Sequence, residues 1–142
     1  MTTRTGPSRL HRPEQLAAYL AAPRTGRWSP RTWLAAGWAA LALRRTRRAL
    51  AADGVRAHVP RPPRLPDGAR RGVEAVLRRT SPTCLERSLV LRTWLAAHGV
   101  PCEVVIGVRR DASGDVTAHA WLDVESDDAT ARTFREIHRW AP

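Results

Sequence analysis

The chain has 142 residues, 43% of them apolar, which is the length of one ordinary domain with enough core to fold without disulfides or metal. Two cysteines, Cys84 and Cys102, exclude a disulfide-dense secreted scaffold and favour a reducing cytoplasm. The net charge of +11, with all 24 basic residues arginine, predicts an electropositive surface that attracts acidic peptides or nucleic acid, and it says little about the fold.

Residues 1–12 lack the apolar core of a signal peptide and read as a flexible N-terminus. Pro13 to Ala22 reads as a short helix, with Pro13 suited to its first turn, Pro23 past its end, and Leu16, Tyr19 and Leu20 on one stripe. Ser29-Pro30 starts a second helix that runs to about Ala52 and stops at Gly54. Trp33, Leu34, Trp38, Leu41 and Leu50 recur at helical spacing and predict its buried side. The apolar run Trp33–Leu43 is eleven residues long, against about 20 for a membrane span. A core helix is therefore expected, although Arg44, Arg45, Arg47 and Arg48 would also suit a membrane or partner surface.

Val59 to Pro66 contains four prolines and reads as a stiff connector. Asp67 caps a predicted helix from Gly68 to Arg79, with Val73, Val76 and Leu77 on one face. In Ser81-Pro82-Thr83-Cys84-Leu85-Glu86, Thr83 and Glu86 have capping-box spacing. The helix that follows is nearly apolar on two sides, which implies a central, buried element, and it ends at His98-Gly99. Cys102–Val108, Val116–Val124 and Thr133–His138 read as strands, with turns at Asp111–Asp115 and Ser126–Thr130. The expected class is α+β: helices first, then an antiparallel meander packed on the Cys84 helix.

Cys84 falls in the first turn of its helix. Cysteines there can be nucleophilic, because unpaired amides and the positive end of the macrodipole favour thiolate over thiol. The amide of such a residue also faces a developing oxyanion. A lone cysteine is equally an inert packing residue. His119, in Ala118-His119-Ala120-Trp121, is a polar ring in mid-strand, where strand propensity gives no reason for it. A helix-start cysteine and a strand histidine can meet across a helix–sheet contact, the histidine taking the thiol proton and returning it to a leaving amine. Trp121 shares the His119 face and would shield the pair from water. From spacing alone, a satisfied core histidine stays open.

Cys84-Leu85-Glu86-Arg87-Ser88-Leu89, the His98-Gly99-Val100 stop, Glu103 to Val108 and Ala118-His119-Ala120-Trp121-Leu122 occur in one order. Together, over about residues 80–138, they resemble the transglutaminase-like leader peptidases of lasso-peptide biosynthesis. The resemblance implies a papain/transglutaminase-like fold over residues 13–142, with a helical part at 13–79 and a catalytic core at 80–140. It implies a cysteine endopeptidase, cytoplasmic, that removes the leader from a ribosomally made precursor peptide. A separate leader-binding protein and a macrolactam-forming cyclase would be its partners, with any ATP used by the cyclase. A Cys-His-acid triad and no metal belong to the same implication.

The acid of such a triad follows the histidine strand and orients the ring. A turn over Ser126–Ala131 would set His119 across from about His138, leaving Glu136 diagonally within reach on the same face. Asp123 lies about 13 Å along the strand, and Asp127 and Asp128 sit in the turn. Glu136 is thus the expected third member, with Asp123, Asp127 and Asp128 as the alternatives; Glu125 is also nearby. Cys102 reads as structural, and His11, His58 and His98 receive no chemistry. No histidine pair has metal-site spacing and no glycine-rich phosphate loop occurs, so no cofactor is expected. Two other readings remain: amidase or transglutaminase acyl transfer through the same pair, and a non-catalytic peptide- or nucleic-acid-binding module using Arg44–Arg48, Arg70-Arg71 and Arg78-Arg79. Nucleic acid is not the expected partner, since these clusters show no recognition helix or stacking aromatics.

Overall fold

The structure is a computed structural model that describes residues 12–54, 58–125 and 129–140. Four helices come first: α1 (Arg12–Ala21), α2 (Pro30–Asp53), α3 (Arg70–Thr80) and α4 (Cys84–Ala97). They are followed by β1 (Val104–Arg110), β2 (Val116–Leu122), a one-turn α5 (Ala129–Arg132) and β3 (Arg135–Trp140). The expected α+β class and helix order hold, with ends shifted by a residue or two. The last strand starts two residues later than expected and ends at Trp140.

Helix α2 starts as the sequence dictates: the Ser29 hydroxyl accepts from the Arg31 amide, Pro30 opens the first turn, and the Gly54 amide closes the end on the Leu50 carbonyl. Its buried side differs from the expectation. Ala35, Ala39 and Ala42 are fully buried, whereas Trp33 (59%), Leu34 (58%) and Leu41 (45%) are exposed; of the large residues expected inside, Trp38 is buried and Leu50 half-buried. The reason lies in α3. A Cβ on Gly72 would run into the Thr32 carbonyl and lie 2.8 Å from the Ala36 amide nitrogen, so the two helices cross almost backbone to backbone. Only small side chains fit on the facing side of α2.

The proline connector is pinned, with Val59 buried and the Trp38 indole donating to the Pro60 carbonyl at 3.1 Å. Arg70, expected on a basic surface with Arg71, is buried. Its guanidinium donates to the Leu20 carbonyl at 2.8 Å, Ala22 at 3.0 Å and Tyr19 at 3.1 Å, closing the end of α1. Arg70 also sits over the Tyr19 ring, whose hydroxyl accepts from the Trp94 indole at 2.7 Å. Burial pushes the Tyr19 phenol up to about 12.

The sheet order is β2-β1-β3, all antiparallel. This corrects the meander, in which β3 was expected beside β2. The stretch 123–134 holds a 3₁₀ turn at Asp123–Glu125 and α5, which makes it longer than a hairpin turn and able to cross to the far side of β1. Val104, Ile106, Ala120, Leu122 and Trp140 join Leu89, Val90, Trp94 and Leu95 of α4 in the main core. Val105 and Trp121 pack with Phe134 on the other face.

Candidate active site

The turn between α3 and α4 sets the position of Cys84. Ser81 takes a left-handed conformation (φ 43°) at the end of α3, and three residues later α4 begins at Cys84. The predicted capping box is present: the Glu86 amide donates to the Thr83 hydroxyl at 3.3 Å, and the Thr83 amide donates to the Glu86 carboxylate at 3.0 Å. Sequence reasoning missed a third party. Arg47 of α2 donates through Nε to the same Glu86 oxygen at 3.1 Å and through a terminal nitrogen to the Thr80 carbonyl at 3.4 Å. No local signal marks this pairing, since Arg47 reads as one of a surface cluster. Cys84 therefore sits, half-buried, at the first position of a helix whose start is braced on both sides. Cys102 is fully buried, as its structural reading requires.

His119 sits in mid-strand opposite Gly107, half-buried. Its ring stacks on Trp121 at 5.9 Å and lies 5.2 Å from Phe134, and the Arg109 guanidinium covers Phe134 at 5.1 Å. A Cβ on Gly107 would lie 2.7 Å from the Trp121 ring and 2.9 Å from the Phe134 Cβ. Glycine is thus what lets these two rings close over β1 beside the histidine. An isolated glycine in a valine-rich strand is a legible sequence signal of such close approach.

Helix α4 packs more on β2 than on β1, so Cys84 and His119 lie on two elements that pack against each other. The side chains themselves belong to different clusters. Cys84 packs against the main core with Ala120 and Leu122, whereas strand alternation puts His119 with Trp121 on the other face. Among the described residues no hydrogen bond joins the thiol to the ring.

The structure does not bring Glu136 to His119. Both pair with Gly107 from opposite sides, two strand spacings apart, about 9.5 Å. The expected diagonal contact assumed a β2–β3 pairing that does not form. Instead Glu136 accepts two bonds from Arg139 at 2.9 Å, which hold its carboxyl below the usual range. Arg139 also donates to Glu103 at 2.9 Å. Asp123 accepts from the Glu103 amide at 2.9 Å and locks the β1–β2 end. Glu125 receives Arg87 at 3.0 Å and the Leu122 amide at 3.2 Å. Asp127 and Asp128 lie outside the described residues, as does His11.

His98 stacks on Trp94 and lies 2.7 Å from the Trp94 carbonyl and 3.0 Å from that of Leu65, a structural tie. Among the described residues no group of three or more His, Cys, Asp or Glu side chains could hold a metal, and no helix is long and apolar enough to cross a membrane.

The family model described as "Transglutaminase-like superfamily" matches residues 30–138, nearly the whole described chain beyond α1. No curated protein and no solved structure gives a significant match.

Proposed function

Since the chain belongs to the transglutaminase-like superfamily, whose members suggest cysteine protease or acyltransferase chemistry, we propose that it is a cysteine peptidase with Cys84 as nucleophile and His119 as base. The observation that carries this reading is Cys84 at the first position of a doubly braced helix packed on the strand that bears His119. The sulfur gives its proton to the imidazole and attacks a peptide carbonyl, while the oxyanion forms toward the amides at the start of α4. The imidazolium returns the proton to the leaving amine, which departs and leaves a thioester. Water then splits the thioester and restores the thiol. The two side chains pack on different faces of the sheet, so this proton transfer requires the pair to be brought together when substrate binds. The reading uses the cysteine–histidine pair and gives Glu136 no role, since its carboxylate is spent on Arg139.

The substrate, on the resemblance of residues 80–138, is the leader of a ribosomal precursor peptide, with a separate leader-binding protein and a cyclase as partners. Two measurements test the reading in turn. Brief alkylation with iodoacetamide at neutral pH, mapped by mass spectrometry, should label Cys84 and spare buried Cys102. A precursor encoded beside the gene, incubated with the enzyme and the leader-binding partner, should lose the mass of its leader. Cys84→Ala should abolish this loss with the fold intact, and Cys102→Ala should keep it. A new amide in place of leader loss would transfer the assignment to amine acyl transfer; cleavage by Cys84→Ala would refute the nucleophile.

A further inference from the structure

Helix α1 is tied to the body by polar contacts at its end, with Tyr19 buried in the core and Leu16 packed against it. Arg70 grips three carbonyls at its end, and Trp94 donates to Tyr19. Beneath it, Leu16 and Leu20 face Val73 and Leu77 of α3 and Leu91 and Leu95 of α4 across a groove of about 390 Å³. Leu20 remains 55% exposed although it forms a wall. Protein interiors are close-packed, so a gap of this size lined by leucine and valine is a departure from ordinary core. The Arg70 clasp explains how it persists: α1 is anchored by its carbonyls and does not collapse onto α3 and α4. The volume falls in the small part of the range for ligand sites.

The rim decides the kind of ligand. Its two carboxylates are already committed, Glu74 to Arg24 at 3.2 Å and Glu125 to Arg87 at 3.0 Å. Arg78, exposed on the same rim, has no ion pair among the described residues. With a chain charge of +11, the mouth favours negative ligands over positive ones.

We propose that this groove binds an acidic peptide segment, which inserts a bulky aliphatic side chain between α1, α3 and α4 and sets a carboxylate against Arg78. The site does not depend on the thiol chemistry. Arg87 is one helical turn beyond Cys84 on α4, so a peptide seated here would run along the helix that carries the nucleophile.

The probe is a fluorescein-labelled, acetylated peptide of alternating leucine and glutamate, titrated against the full chain by anisotropy. Saturable binding is expected. Serine in place of leucine, or lysine in place of glutamate, should weaken it by about tenfold or more. Leu91→Trp, which fills the groove, and Leu20→Gln, which makes its exposed wall polar with little risk to the fold, should each weaken it about tenfold. Arg78→Gln should cost several-fold, and Cys84→Ala should bind like the parent, which separates this site from the peptidase reading. Equal binding of the serine peptide would reduce the effect to general charge attraction and overturn the proposal. So would unchanged binding by both Leu91→Trp and Leu20→Gln, or binding of decanoate at the groove with none of the peptide.

Discussion

Helices α2 and α4 both contribute to the core, yet they differ in the residues they bury there. Helix α4 sits at the centre and buries its bulk, with Trp94, Leu89, Val90 and Leu95 facing the sheet and the other helices. Helix α2 buries mostly alanine and threonine, with Trp38 and Leu43 as its large buried residues, and leaves Trp33, Leu34 and Leu41 outside. The difference follows from the neighbour each must meet. A sheet face about 10 Å away needs large side chains to fill the gap, whereas α3 comes so near at Gly72 that α2 has room only for small ones. The distance of the partner chooses the face, and residue hydrophobicity does not.

The sharpest way to break this contrast is Gly72→Ala. One methyl group would strike backbone on α2, where no rotamer change can relieve it, so a loss on the order of 3 kcal/mol in chemical denaturation is expected. Arg70→Met should come next. It leaves the Tyr19, Leu20 and Ala22 carbonyls without their charged donor and should cost about 2–3 kcal/mol, with faster amide exchange concentrated in α1. A loss spread evenly over the chain would show that Arg70 does more than hold that helix.

Tyr19 provides a pH test of the same junction, since it is the chain's one tyrosine. Its phenol ionises near 10 when unfolded and at about 12 in the fold. The stability it lends is complete below pH 10 and is lost as pH rises from about 10 through about 12. Tyrosinate absorbance should therefore appear near 12 in the native protein and near 10 in denaturant. A native midpoint near 10 would mean that the phenol is not sequestered. The smallest effect is expected on the outer face of α2. Trp33→Gln should change stability by no more than about 0.5 kcal/mol, whereas a large loss would mean that the tryptophan is packed after all.

Much of the chain was readable because local chemistry decides it. Pro30 after Ser29, the Thr83–Glu86 box and Gly99 beyond α4 mark helix ends through bonds that span only a few residues. What failed depends on partners distant in the chain. Periodicity placed Trp33 and Leu34 inside α2 because nothing in residues 30–53 reports how near Gly72 will come. The third strand was found but given the wrong neighbour, since its pairing is decided by how a twelve-residue connection crosses β1, and Glu136 was misplaced with it. The two residues proposed for the site were legible in their placement: a cysteine opening a helix and a histidine in mid-strand need no tertiary knowledge. The Arg47 brace was not, since it joins residues 39 positions apart.

That brace also bears on where the molecule can be cut. The residues proposed for the site, Cys84 and His119, both fall after residue 80, which invites the view that the first half is an accessory and could be removed. Arg47 contradicts it. The glutamate that fixes the first turn of α4 is held from α2, and Trp38 of α2 lies 5.4 Å from Trp94 of α4, ring to ring. A fragment beginning at residue 80 would keep both proposed residues and lose the brace at the start of α4, and it would bare Trp94 to water. The minimal working unit is thus longer than its chemistry, and any trimming must spare α2.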